Sequence, residues 1–126
     1  MKIVSPIFLS VIIISCTPID NENFEVENKK LIDNYKLVTK NFVSENSHKR
    51  NDSQMVYSLD SIAQLFMVDK NKILAEKFIK TEKGLKRINF LKEYYKNDEI
   101  NLILEKVSAS QKVSKDYIEI KNYVNK

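Results

Sequence analysis

Proline and glycine are almost absent from this chain of 126 residues. Both prolines, Pro6 and Pro18, lie near the amino terminus, and Gly84 is the only glycine. Sheets need these residues in their turns, whereas Lys, Glu, Leu, Ile and Asn are the abundant residues here. The chain after Pro18 is therefore predicted to be all-α, and its stability must come from a packed helical core.

The amino-terminal segment is apolar and short. Residues 3–15 carry no charge and follow a single lysine, Lys2. A helix that spans a bilayer needs about 20 apolar residues, so this segment is too short to cross comfortably. Its length, its positive start and the small Ser15 at its end instead predict a cleaved secretory signal peptide at residues 1–15.

The only cysteine ends that segment, in Ile13-Ile14-Ser15-Cys16. This motif resembles the lipobox of bacterial lipoproteins. In that family the thiol receives a diacylglyceryl group, the leader is cut before the cysteine, and the new amino terminus is often acylated too. The resemblance implies that Cys16 is a lipidation site, and two or three acyl chains such as palmitate would anchor the protein stably. A single cysteine allows no intramolecular disulfide.

The remainder divides into a tether and one domain. Residues 16–23 are short, polar and proline-bearing, as flexible tethers are. Residues 24–126 are enough for one domain of ordinary size. We expect a small bundle of about four antiparallel helices after the cleaved lipoprotein signal peptide.

Apolar residues at three and four spacing locate the first two helices. The first is predicted from Glu25 to Glu45, and a polar loop follows from Ser44 to Ser53. The second is expected to be capped by Asp52 or Ser53 and to stop near Val68, since Asp69 and Asn71 favour caps. The apolar residues of these helices are Phe24, Leu31, Tyr35, Val38 and Phe42, then Met55, Val56, Leu59, Ile62, Ala63, Phe66 and Met67.

The pattern continues from Asn71 to Tyr95 across Gly84. A glycine costs roughly 1 kcal/mol in a helix interior, so a break at Gly84 is an alternative, but the unbroken spacing favours one long, kinked helix. Asn97 and Asp98 are expected to cap the last helix, which weakens at Ser108 and resumes its apolar face at Val113, Tyr117, Ile120 and Val124. Such spacing also permits a coiled-coil homodimer.

The chain offers few candidate catalytic groups. His48 is the only histidine and lies in the polar loop, where a solvated side chain is the ordinary outcome. The chain has no glycine-rich phosphate loop, no Gly-x-Ser-x-Gly elbow and no calcium loop. We expect no enzyme activity, no metal site and no cofactor.

Basic residues concentrate between Lys70 and Lys96. This segment contains nine basic and three acidic residues, which gives a net charge of +6. Four of them lie near one another on a helix and form what we call the basic stripe: Lys77, Lys80, Lys83 and Arg87. This stripe could bind a sulfated glycosaminoglycan, an anionic lipid head group or an acidic protein. The alternative is a solvated lysine-rich face. No aromatic residues interleave with the stripe, so nucleic acid is not an expected partner.

The lipobox, the short polar tether and the Lys-, Asn- and Ile-rich helices together resemble small plasmid-encoded surface lipoproteins of Borrelia-type spirochaetes, of the orf-D type. That resemblance implies a lipoprotein attached to the outer membrane through Cys16, exposed at the cell surface and binding a host or environmental macromolecule, such as a host protein or glycosaminoglycan, through a helix face. The alternative is a periplasm-facing structural or accessory lipoprotein that acts by helix-helix contact.

Overall fold

The computed structural model describes residues 18–126, which form an all-α bundle. The predicted signal peptide and Cys16 lie outside the described residues. Helices α1 to α6 span Asn21–Asn46, Asp52–Ala63, Lys70–Lys77, Glu82–Leu91, Asn97–Leu104 and Lys115–Val124. A π-helical segment, Gln64–Asp69, joins α2 to α3 without a break, and these three elements form one continuous helix, which we call the second rod. The described part of the chain therefore contains five separate helices rather than about four.

Helix α1 begins at Asn21, four residues before the expected start at Glu25. The carboxylate of Asp20 accepts a hydrogen bond from the Asn23 backbone N–H at 2.7 Å and so caps the helix. The last three residues of the predicted tether, 21–23, are therefore helical. At its other end α1 continues to Asn46, one residue beyond the prediction.

The second rod starts and stops differently from the prediction. Asn51 caps α2, because its side chain accepts from the Gln54 N–H at 2.9 Å while the Gln54 side chain accepts from the Asn51 N–H at 3.2 Å. The predicted end near Val68 is wrong, since the rod continues to Lys77 through the π segment. There the Asn71 side chain donates to the Phe66 carbonyl at 2.9 Å, so Asn71 supports the rod instead of ending it.

The single long helix predicted across Gly84 is also wrong. The chain leaves helical geometry between Phe78 and Thr81, and Thr81 caps α4 by accepting from the Gly84 N–H at 3.0 Å. The Thr81 hydroxyl in turn donates to the Phe78 carbonyl at 2.8 Å. Gly84 lies in the first turn of α4, where an added Cβ would be 1.9 Å from the Phe78 oxygen, so the close turn requires glycine.

The predicted last helix is two helices. Lys96 occupies the cap position of α5, and the Glu99 carboxylate accepts from its N–H at 2.8 Å, so the cap falls before Asn97 and Asp98. A 3₁₀ turn, Ala109–Val113, separates α5 from α6 and leaves Val113 80% exposed, which contradicts its predicted core position.

One buried polar side chain holds this 3₁₀ turn against the rest of the fold. Gln111 donates to the carbonyls of Ile79 and Thr81 at 2.8 and 3.0 Å, and it accepts from the Ser108 N–H at 2.8 Å. A buried amide with all these groups paired stabilises a specific arrangement, because losing a partner would leave buried carbonyls unpaired.

The core lies in the carboxyl-terminal part of the chain. The main cluster is formed by residues from α3, α4, α5, α6 and the segments between them. A smaller cluster of Phe24, Leu74 and Phe78 attaches α1 to this core. Helix α1 buries only Phe24, and α2 buries no residue. We call α1, the loop and α2 the hairpin, because they lie against each other and leave most of their surface outside the core. The main cluster comprises Ala75, Ile79, Leu85, Ile88, Leu91, Tyr95, Ile100, Ile103, Leu104, Val107 and Ile120.

No helix within residues 18–126 combines the length and the apolar composition that crossing a bilayer requires.

Candidate functional site

The basic stripe spans the break between α3 and α4, and two of its lysines contact acidic residues of α1. Lys77 forms an ion pair with Glu27, with 2.5 Å between Nζ and Oε1, and Lys83 forms one with Glu25. These pairs are partly exposed, so each contributes little free energy. Their positions nevertheless show that part of the predicted ligand surface is engaged by the hairpin.

Arg87 is the member of the stripe that contacts two other helices, α1 and α3. Its guanidinium donates to the side chains of Asn28, at 3.1 Å, and Asn71, and it lies 5.4 Å from the centre of the Phe24 ring. Burial lowers the pKa of Arg87, while the nearby Glu25 opposes that shift. Because it links α1, α3 and α4 in one network, Arg87 has a structural role in addition to any contact with a ligand.

The remaining lysine of the stripe, Lys80, precedes α4, and Lys86 lies on the exposed side of that helix. Neither forms an ion pair with any described residue. Lys83, Lys86 and Phe90 recur at three and four residues, so they share one side of α4. Phe90 is 79% exposed, since the buried side of α4 is occupied by other residues. We call Lys80, Lys83, Lys86 and Phe90 the lysine-phenylalanine patch.

Shallow depressions surround Phe90 on several sides. One is shared with Phe24 and Lys86, and another with Met67 and Tyr94, whose side chains are also more than half exposed. The patch is therefore a basic surface with an apolar centre. The count of basic residues identified the lysines of this patch. It did not identify Phe90, because that count ignores apolar residues and the apolar spacing does not show which side of a helix lacks a partner.

A second candidate surface lies at the tip of the hairpin, around Arg50. Its guanidinium donates to the Asn46 side chain at 3.2 Å and to the Ser58 hydroxyl at 2.8 Å, and it lies 5.3 Å from the centre of the Phe42 ring. Beside it, Tyr57 is 76% exposed and lines the same shallow depression. Arg50 is thus held in place while the Tyr57 ring is open to solvent.

The tip was not predicted as a binding surface. Its basic loop residues were visible in the sequence, and Tyr57 falls outside the predicted apolar face, which is the one signal that could have identified it. His48 is exposed in the same loop. In the described part of the chain, no group of three or more His, Cys, Asp or Glu side chains comes together to hold a metal ion.

The comparisons with known proteins add no relative. Searches against protein-family models, curated proteins and solved structures found no match to this chain.

Proposed function

We propose that this protein is a lipid-anchored bacterial envelope lipoprotein that is displayed at the cell surface and binds a macromolecule through a helix face at the tip of its hairpin. In this proposal residues 1–15 are removed, Cys16 carries the lipid and the helical bundle is presented from the outer membrane. The observation that carries the binding role is the fixed Arg50 beside the exposed Tyr57.

The anchor is supported by the lipobox and by the position of the domain that follows it. Asp20, which caps α1, comes four residues after Cys16. An extended chain advances at most about 3.6 Å per residue, so a lipid on Cys16 would hold the start of α1 within about 15 Å of the attachment point.

The binding role is supported by the composition of the tip. Tyrosine and arginine are enriched among the residues that dominate protein interfaces, since each offers a large contact area with a polar group. Arg50 is already held by Asn46, Ser58 and Phe42, so binding would cost little side-chain entropy at this position.

The anchor is tested by the mass of the mature amino terminus and by the Cys16→Ser variant. We expect the native protein to begin at an acylated Cys16 and to fractionate with membranes. The Cys16→Ser variant should keep its leader and lack the lipid. An unmodified Cys16 at the mature amino terminus, or an intact leader in the native protein, would remove the anchor.

Surface display is tested by brief trypsin treatment of intact cells. Lys49 and Arg50 lie in the exposed loop between α1 and α2, so cleavage there should yield a defined fragment. Permeabilised cells provide the control, since they expose the loop in either location. Protection in intact cells together with cleavage in permeabilised cells would instead support the periplasm-facing accessory lipoprotein.

The contact itself is tested by photo-crosslinking in intact cells exposed to serum or extracellular matrix. A crosslinker in place of Tyr57 should give a discrete product, and one in place of Leu102, which is also exposed but lies on α5, should not. Equal products at both positions would argue against the tip. A product twice the mass of the chain would identify a homodimer.

A further inference from the structure

We propose that the lysine-phenylalanine patch docks onto an anionic lipid surface and thereby orients the domain on its membrane. This inference rests on the proposed lipid attachment at Cys16. It assigns a second, reversible contact with the bilayer to α4, in addition to the covalent anchor.

The patch begins at the end of the domain that is nearest to Cys16 in the chain. The backbone N–H of Lys83 donates to the Asn21 side chain at 3.1 Å, and the Lys83 ammonium pairs with Glu25. The first turn of α4 therefore lies against the first turn of α1. Since Asp20 follows Cys16 by four residues, acyl chains on Cys16 would keep this end of the domain within about 15 Å of the bilayer surface. The patch begins at this end.

The patch lies in a segment with an excess of basic residues. From Lys80 to Lys92 there are five basic residues and one acidic residue, Glu82. The ion pairs with α1 engage Lys77 and Lys83, and they leave Lys80 and Lys86 without an ion-pair partner among residues 18–126. Such lysines gain favourable contacts near anionic lipid head groups, and the attraction falls off within a Debye length.

Four acidic residues lie near the patch, and two of them, Glu82 and Glu93, are exposed and form no ion pair within residues 18–126. The Asn89 side chain donates to Asp116 at 2.8 Å and to Glu119 at 2.7 Å, and the bond to Glu119 lowers the pKa of that carboxyl group. Lys115 lies beside the same glutamate, with 3.6 Å between Nζ and Oε1. From Lys80 to Glu93 there are five basic and two acidic residues, so this segment keeps a net charge of +3.

Phe90 gives the patch an exposed aromatic ring. The buried side of α4 already contributes Leu85, Ile88 and Leu91 to the core, and Phe90 extends from the opposite side. An exposed aromatic ring among lysines is the composition of helices that lie in a membrane interface, where the ring enters the head-group region and the ammonium groups contact phosphates. The exposed Met67 and Tyr94 extend this apolar centre.

The experiment uses the absence of tryptophan from the chain. The processed, acylated Phe90→Trp protein is reconstituted into vesicles of phosphatidylcholine alone or with phosphatidylglycerol. We expect a blue shift of the tryptophan emission, and quenching by brominated lipid, only on vesicles with phosphatidylglycerol. High salt should reverse both changes. The Tyr57→Trp protein, which carries its single tryptophan at the hairpin tip, is the matched control and should respond to neither vesicle.

Charge reversal tests the lysines directly. In the Phe90→Trp background, Lys80→Glu with Lys86→Glu should abolish the blue shift, while the acyl chains keep the protein on the vesicles. Reversal of Lys106 and Lys112, which lie between α5 and α6, is the control and should preserve the shift. Circular dichroism establishes that each variant is folded.

The outcomes separate this inference from the proposed anchor. Loss of the protein from neutral vesicles would contradict lipid attachment at Cys16. Retention of the Phe90→Trp protein on neutral vesicles, with identical tryptophan emission on both lipids, would overturn the docking surface and leave the anchor intact. A shift caused by heparin but not by phosphatidylglycerol would also overturn it, because the patch would then be a polysaccharide site.

Discussion

Two buried threonine hydroxyls have opposite surroundings in this fold. Thr81 Oγ1 donates to Phe78 and accepts from the Gly84 N–H, so it caps α4. Thr39 Oγ1, on the partly buried side of α1, is shielded from solvent without a hydrogen-bond partner among the described residues. The same chemical group is therefore favourable at one position and unfavourable at the other.

The same substitution should therefore change stability in opposite directions at these two positions. Thr39→Val removes an unpaired hydroxyl and should raise the free energy of unfolding by about 1 kcal/mol. Thr81→Val removes the cap and leaves a backbone N–H unpaired, so it should lower that free energy by about 1–2 kcal/mol. Urea denaturation followed by circular dichroism measures both, and changes of equal sign would contradict the assignment.

Gly84 is required for steric reasons. No described glycine has a positive φ, so alanine would be conformationally acceptable and would gain about 1 kcal/mol from helix propensity. Its Cβ would, however, overlap the Phe78 carbonyl. We expect Gly84→Ala to destabilise the protein by about 2 kcal/mol or more in urea denaturation. Lys86→Ala on the exposed side of α4 is the control and should change stability by less than about 0.5 kcal/mol. A more stable Gly84→Ala protein would show that the turn can relax.

Helix α1 is attached to the core mainly near its start. The Phe24 ring packs edge-on against Phe78, with 5.6 Å between ring centroids, and lies under the Arg87 guanidinium. Farther along, Tyr35 contacts Phe66 with the same centroid separation. Phe24 is the only fully buried residue of α1, and the residues after Tyr35 are half-buried or exposed.

The attachment of α1 should therefore depend strongly on one side chain. Phe24→Ala should cost about 3–4 kcal/mol at this contact, because it leaves a cavity between α1 and α3. Hydrogen exchange should show faster exchange throughout α1, while the amides of α4 and α6 remain protected. Leu37→Ala, on an exposed part of α1, is the control and should leave exchange unchanged. Uniform loss of protection would mean that the hairpin and the core unfold as one unit.

The sequence predicted the elements better than their connections. The all-α class followed from the scarcity of proline and glycine, and the start of α2 was wrong by only one or two residues. The π segment was missed because a π turn holds one extra residue, which changes the side of the helix on which the following residues lie. As a result Phe66 and Val68 are buried and Met67 is exposed. The break at Phe78–Thr81 was missed because the apolar spacing continues through it, and only the side-chain bonds of Thr81 distinguish it from a helix.

The candidate surfaces were predicted only in part. The charge excess between Lys70 and Lys96 is a property of the sequence, but which lysines remain available depends on where α1 packs. Glu25 and Glu27 engage Lys83 and Lys77, and no local pattern relates residues so far apart in the chain. Arg87 appeared to be one more surface cation, although it links three helices. The lipid attachment at Cys16 stays a prediction from its motif.

The proposed surfaces lie near opposite ends of one helix. The patch adjoins the start of α1 and the tip adjoins its end, and 26 residues at 1.5 Å each make α1 about 39 Å long.

That arrangement has a mechanical consequence. If a partner held at the tip were pulled away from a lipid at Cys16, the tension would pass along α1 alone. The backbone hydrogen bonds of that single helix would carry the load, while the core of α3 to α6, which branches from the side of this path, would stay unstretched. Helix α1 would then unwind first, and the core would remain folded.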